Sequence, residues 1–171
     1  MSHRLDDLLN VTRKQVMSQR DVPGITRAAI PIMLQNGVTG LSVGTNSGSA
    51  PANVPKSFIW RFNETSSIRC FWLGGGYSGF PTLPNGYAIT EIPGTNAALV
   101  VLWRGDNTGP PSSIAEVQDD FDALQLNFPE AEIISSTFDG FLEAVADVPD
   151  ENFPVIEGEI GDTWMYGVAS D

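Results

Sequence analysis

The stretch KQVMSQRDVPGITRAAIPIMLQNGVTGLSVG, residues 14–44, decides the fold. Its first part, KQVMSQR, reads as a strand that delivers the chain to Asp21; a longer N-terminal helix is the rival reading. Pro23 and Gly24 then turn the chain. Thr26 is placed to cap a helix over Arg27 to Asn36, because a threonine hydroxyl accepts one of the first unpaired amides. Gly37 stops that helix. Pro31 is tolerated near its start, where the amides lack partners anyway. VTGLSVG reads as a buried strand. Strand, helix and strand in that order make a parallel crossover unit.

Working outward, Leu5, Leu8 and Leu9 recur at helical spacing and predict a short helix over about Arg4 to Val11. TNSGSAPANVPK is a long polar loop of the kind that is often functional in a compact domain. SFIWRF and IRCFWLG read as strands on either side of NETSS. GGGYSGFPTLPNG is a second long loop. GYAITEI alternates like a strand, and AALVVLW reads as a strand covered on both faces. RGDNTGPPS is a third loop. Ser112 or Ser113 starts a helix with an apolar stripe of Ile114, Val117, Phe121, Leu124 and Phe128. AEIISST reads as a further strand, and Thr137 caps a helix over Phe138 to Ala146. The expected architecture is one α/β domain over residues 1–171, with a mostly parallel sheet flanked by helices. Ligand sites in such sheets lie beyond the carboxyl ends of the strands. DVPG, GTNSGSAP, WRGDNTGP and EGEIGDTW are the polar segments expected to follow a strand there.

Composition narrows the function. The 171 residues are 42% hydrophobic, enough for a packed core. The formal charge of −12 repels phosphate backbones and anionic lipid, so neither nucleic acid nor a membrane surface is an expected partner. Cys70 is the only cysteine. Its apolar surroundings predict a buried, inert thiol. His3 is the only histidine and lies at the terminus, which removes a Ser-His-Asp system. The start MSHRLDDLL has no apolar core of a signal peptide, and the compartment stays open. Two sequons, at Asn10 and Asn63, would permit glycosylation. GGGYSG lacks the lysine of a phosphate loop, and the RGD tripeptide at Arg104 to Asp106 is a chance match.

DVPGITRAAIPIMLQNGVTGLSVGTNSGSAPANVPKSFIWRF, with the closing GEIGDTWMYGVASD, resembles an uncharacterised family known only as a domain of unknown function. That family has relatives in family 38 of the glycoside hydrolases, the α-mannosidase type, whose catalytic domain is an incomplete β/α barrel. The resemblance spans nearly the whole chain and is most specific at its two ends. It implies a partial barrel, the middle part of a larger catalytic domain. It implies that Asp21 matches the carboxylate that is both nucleophile and zinc ligand. Glu159, with Asp162 next, matches the region of the general acid. The implied cofactor is zinc or another divalent metal, with an incomplete ligand set. The family's turn reads DVPG followed by His, where this chain has Ile25. The His-x-Asp metal pair of the first barrel strand has no counterpart, and His3 matches no ligand position. A sheet that does not close leaves unpaired edges. Three outcomes are then open: a rearranged open sheet, a homo-oligomer paired through those edges, or a parent chain that supplies the missing strands.

Glycoside hydrolysis needs two carboxylates, about 5 Å apart for retention and about 6.5–9.5 Å for inversion. Asp21 and Glu159 are the expected pair. The plain alternative is that Asp21 is a turn acid accepting backbone amides, with Glu157, Glu159 and Asp162 along a solvated edge. Sugars bind by packing C–H faces on aromatic rings and offering hydroxyls to polar side chains. Asn46, Tyr77, Asp106 and Trp164 are the expected substrate contacts, while Trp72 and Trp103 read as core. Three functions follow: an α-mannosidase-type glycoside hydrolase, inactive or active; a non-catalytic, lectin-like carbohydrate-binding protein; or an acidic interaction or defence protein.

Overall fold

Residues 2–22, 24–77, 88–102 and 109–161 are described by the computed structural model. The 14–44 stretch folds as read: β1 (Val16–Asp21), a 3₁₀ turn (Arg27–Ala29) continuing into α2 (Ile30–Gln35), then β2 (Gly40–Thr45). The Thr26 hydroxyl accepts the Ala28 amide as the expected cap, and Gly37 ends the helix at φ +73°. Before this unit, α1 (Ser2–Leu9) fills the predicted N-terminal helix. After it come β3 (Ser57–Asn63) and β4 (Ser66–Leu73), joined by the tight turn at Asn63 to Thr65.

β7 (Val155–Ile156) completes a five-stranded sheet in the order β1-β2-β4-β3-β7. Pairings β1–β2, β2–β4 and β3–β7 are parallel, and β3–β4 is antiparallel. The fold is therefore α/β with a mostly parallel sheet. That sheet is open, with β1 and β7 as its edges, and it is not the barrel that the resemblance implied. The physical reason is the β3–β4 hairpin. It reverses the strand direction, so β3 and β7 run against β1, β2 and β4, and the uniform parallel order of a barrel is broken.

Alternation along the strands supplies two cores. On one face Leu41, Val43, Phe58, Trp60, Ile68, Cys70 and Trp72 pack on Ile30 and Met33 of α2 and on Ile160. Cys70 is fully buried there, and burial pushes its thiol well above the ordinary cysteine range, as the sequence predicts. On the other face Ile59 and Phe71 pack on α4 (Phe138–Ala144), through Phe141 and Val145, and on Phe153. A separate antiparallel hairpin, β5 (Ala88–Glu91) with β6 (Ala98–Val101), adds Ile92 and Leu99 to this second core.

Polar side chains tie these layers together. Thr137 caps α4 by accepting the Gly140 amide. Asp139, in the first turn of α4, accepts the amides of Gln15 and Val16 at 2.9 and 2.8 Å and so docks the start of β1. Arg69 of β4 donates to the carbonyls of Val145 (2.5 Å) and Val148 (2.7 Å) and to Asp150 (2.9 Å). It thereby adds a charged donor to the Val145 carbonyl, which also accepts the Val148 amide at 3.2 Å, and ties the turn after α4 to the sheet. Arg20 is half-buried with its guanidinium over the Phe138 ring, and loss of solvent lowers its pKa to about 10. Its guanidinium donates to the carbonyl and hydroxyl of Ser42, each at 2.7 Å.

Three expectations are corrected. AEIISST is not a strand: residues 131–136 are irregular, and Ile134 is exposed. Residues 97–102 of AALVVLW do not enter the main sheet, only Val101 of β6 is buried, and Trp103 lies outside the described residues. α3 (Ile114–Asn127) begins at Ser113 as read, but its apolar stripe is not a core face, because Leu124 is its only buried residue while Ile114 is 80% exposed.

Candidate functional site

The carboxyl ends of β1, β2 and β4 lie side by side, in the register Asp21↔Thr45 and Gly44↔Leu73. Parallel pairing makes this edge from residues distant in the chain. At it the last residue of β1 adopts a conformation that side chains avoid. Asp21 has φ +71°, and the Val22 amide reaches back to the Arg20 carbonyl at 2.9 Å. This is a γ-turn of the positive-φ kind, a rare and strained arrangement for a residue with a side chain. Such strain costs on the order of 1–3 kcal/mol and concentrates at sites that bind or react.

The side chain of Asp21 is held from the neighbouring strand end. Asn46 donates its amide Nδ2 to Asp21 Oδ1 at 2.7 Å, and the Asn46 backbone amide donates to the Asp21 carbonyl at 2.9 Å. Asn46 is itself fixed, since its Oδ1 accepts the Gly48 amide at 2.8 Å and its carbonyl accepts the Ser49 hydroxyl at 2.8 Å. The second carboxylate oxygen of Asp21 takes no hydrogen bond among the described residues. The half-buried carboxylate is thus oriented, with one oxygen open.

β4 ends in Gly74, Gly75 and Gly76, and a Cβ at either of the last two would meet nothing within 4 Å. The chain then crosses the end of β2: a Cβ on Gly44 would lie 2.8 Å from the Tyr77 Cα and 3.0 Å from Arg20 Cδ. Only glycine permits that approach. Tyr77 is half-buried and lies at this same edge. Asp21 and Asn46 are therefore brought together at the carboxyl edge, and Tyr77 lies beside Gly44 on the side of the Arg20 side chain.

Glu159 is placed elsewhere. Its two oxygens accept the Thr26 hydroxyl (3.2 Å) and the Arg27 amide (2.8 Å). It caps the 3₁₀ turn that starts the helix, next to the hydrogen bond from the Arg27 guanidinium to the Glu157 carbonyl. β7 runs opposite to β1, so the segment after it departs from the other edge of the sheet, and only then folds back over the α2 face. Glu159 makes no hydrogen bond to Asp21. Asp106, Asp162 and Trp164 lie outside the described residues.

Zinc or another divalent metal is implied at Asp21 by the resemblance, with an incomplete ligand set. One oxygen of that carboxylate accepts an amide N–H, and among the described residues no three His, Cys, Asp or Glu side chains converge.

One residue read as plain core has a further property. Trp72 is 3% exposed, yet its indole Nε1 has no hydrogen-bond partner among the described residues. That nitrogen lies against Gly74, 3.3 Å from where a Cβ would sit, and Pro51 Cγ lies 3.7 Å from the same point. By contrast, Trp60 donates to the Gly158 carbonyl at 2.9 Å. A buried donor with no acceptor costs roughly 1–3 kcal/mol. IRCFWLG carries no signal of this, because its own Gly74 reads as a strand end and Pro51 comes from another loop.

No protein-family model matches this chain, and none of the curated proteins compared with it is similar in sequence.

Proposed function

We propose that the protein is a carbohydrate-binding protein whose sugar seat is the carboxyl edge of the sheet around Asp21. The observation that carries this reading is Asp21 itself. It is a strained residue with one carboxylate oxygen locked by Asn46 and the other open. A carboxylate held in that way accepts two vicinal hydroxyls with little loss of freedom on binding. Tyr77 and the glycine turn give the ring an aromatic neighbour and unobstructed backbone.

The binding reading is preferred over hydrolysis by the Asp21–Glu159 pair, because Glu159 is engaged in capping with both oxygens. A general acid must present its carboxyl to the leaving group, and both Glu159 oxygens are turned to the Thr26 hydroxyl and the Arg27 amide. The test is calorimetric titration of the full chain with neutral methyl pyranosides, alongside turnover of an aryl α-mannoside. Saturable binding that is lost in Asp21→Asn, with no turnover, supports the reading. Turnover abolished by Glu159→Gln would replace it with the hydrolase.

A further inference from the structure

The unpartnered indole N–H of Trp72 belongs to the same edge as Asp21. Gln19, Val43 and Trp72 form one row across β1, β2 and β4, and Asp21 and Thr45 pair two residues further along β1 and β2. An open acceptor on β1 and an unused donor on β4 therefore belong to the two strands that flank β2, whose backbones are two strand spacings or about 10 Å apart. Thr45 between them is fully buried, and its hydroxyl is already donated to the Leu73 carbonyl at 3.2 Å. It offers no competing donor. Gly74, which has no side chain, lies against the indole N–H, and Pro51 of the polar loop after β2 lies close to the same glycine.

We propose that Trp72 is a specificity-determining residue of the sugar seat, donating its indole N–H to a ligand oxygen once the Pro51 loop lifts from Gly74. This rests on the carbohydrate reading above and refines it. The two groups are complementary in what they demand. Asp21 Oδ2 needs a ligand donor, and an indole offers only a donor and needs a ligand acceptor. A hydroxyl is both, so a ligand with several hydroxyls satisfies both ends. The charge of −12 and the Asp21 carboxylate exclude an anionic ligand from this edge. The ligand class is thus a neutral pyranoside, not a sugar phosphate or a uronic acid.

The test uses the full chain, with methyl α-mannoside, methyl α-glucoside and methyl α-galactoside as neutral probes and mannose 6-phosphate as the anionic one. Trp72→Phe keeps an aromatic core residue and removes only the N–H-bearing ring. Binding of the preferred pyranoside should weaken about tenfold, the factor that one lost ligand hydrogen bond brings, while the urea midpoint stays the same or rises. Independently, the Trp72 indole N–H resonance should shift when that pyranoside is added to the wild type. If Asp21→Asn abolishes binding but Trp72→Phe binds like wild type with an unmoved indole signal, the role of Trp72 is overturned and the carbohydrate reading stands. If no pyranoside binds the wild type, the carbohydrate reading itself fails and the Trp72 role with it. Mannose 6-phosphate binding as tightly as the neutral sugars would overturn the ligand class.

Discussion

Replacing Asp21 separates the strain in its backbone from the work of its side chain. In an ordinary strand, glycine is less stable than alanine by about 0.5–1 kcal/mol, because glycine loses more freedom on folding. At φ +71°, alanine keeps the strain, which is roughly 1–3 kcal/mol, and glycine relieves it. Both substitutions lose the Asn46 hydrogen bond equally. Subtracting the entropy term from the strain term leaves Asp21→Gly more stable than Asp21→Ala by up to about 2.5 kcal/mol, the reverse of the strand rule. Relative to wild type, Ala loses a charge-assisted hydrogen bond and should be destabilised by about 2 kcal/mol. Gly should lie within about 1 kcal/mol of wild type, since relief and loss nearly cancel. Urea unfolding resolves the order, as a difference of 1 kcal/mol corresponds to about 2–4 °C in Tm at this size. Alanine equal to or better than glycine would refute the strain argument. Neither variant should bind sugar, so Asp21→Gly should be a well-folded protein without its ligand.

Other perturbations report on single contacts. Arg69→Ala leaves the Val145 and Val148 carbonyls without their charged donor and should cost about 3 kcal/mol in urea unfolding, whereas Asp150→Asn, at an exposed partner, should cost under about 1 kcal/mol. Glu159→Ala removes a cap and should lower stability by about 1 kcal/mol with sugar binding unchanged. Asp120 in α3 has its pKa raised by partial burial and by the charges of Glu116 and Asp119. Its folded form therefore holds the proton more tightly than the unfolded chain, and stability rises as pH falls through that window. Asp120→Asn should be more stable than wild type at pH 7, and the gap should close in acid.

The parts of the fold that were legible in the sequence are those fixed by local chemistry. Thr26, Gly37, Ser113 and Thr137 mark helix ends with their own side chains or lack of one, and each acts where it was read. The failures lie where local composition does not decide. Ile133 and Ile134 look like strand residues, but no neighbouring strand pairs with them. The run at Ala97 to Val101 is apolar because it covers the second core from outside the main sheet. The direction of β3 and β7 follows from the hairpin at Asn63 to Thr65, which NETSS marks as a turn without announcing its effect on a barrel. In the site, Asp21 was conspicuous in DVPG. Its partner Asn46 was one of many polar loop residues, and only the β1–β2 register selects it. Glu159 looked like an acid and is a cap, because the fold returns it to Thr26 and Arg27.

The buried thiol has a practical consequence. Cys70 is the chain's only cysteine and sits in the middle of the sheet, with Leu41 paired beside it on β2 and Phe58 on β3. Its suppressed ionisation makes it silent toward thiol reagents while the sheet is intact. Fraying of α1 or motion of the Pro51 loop leaves it covered. The protein thus carries a built-in clock for separation of its central strands. The labelling rate of Cys70 counts those openings one molecule at a time, and a pyranoside bound across β1 and β4 should slow that clock in proportion to its occupancy.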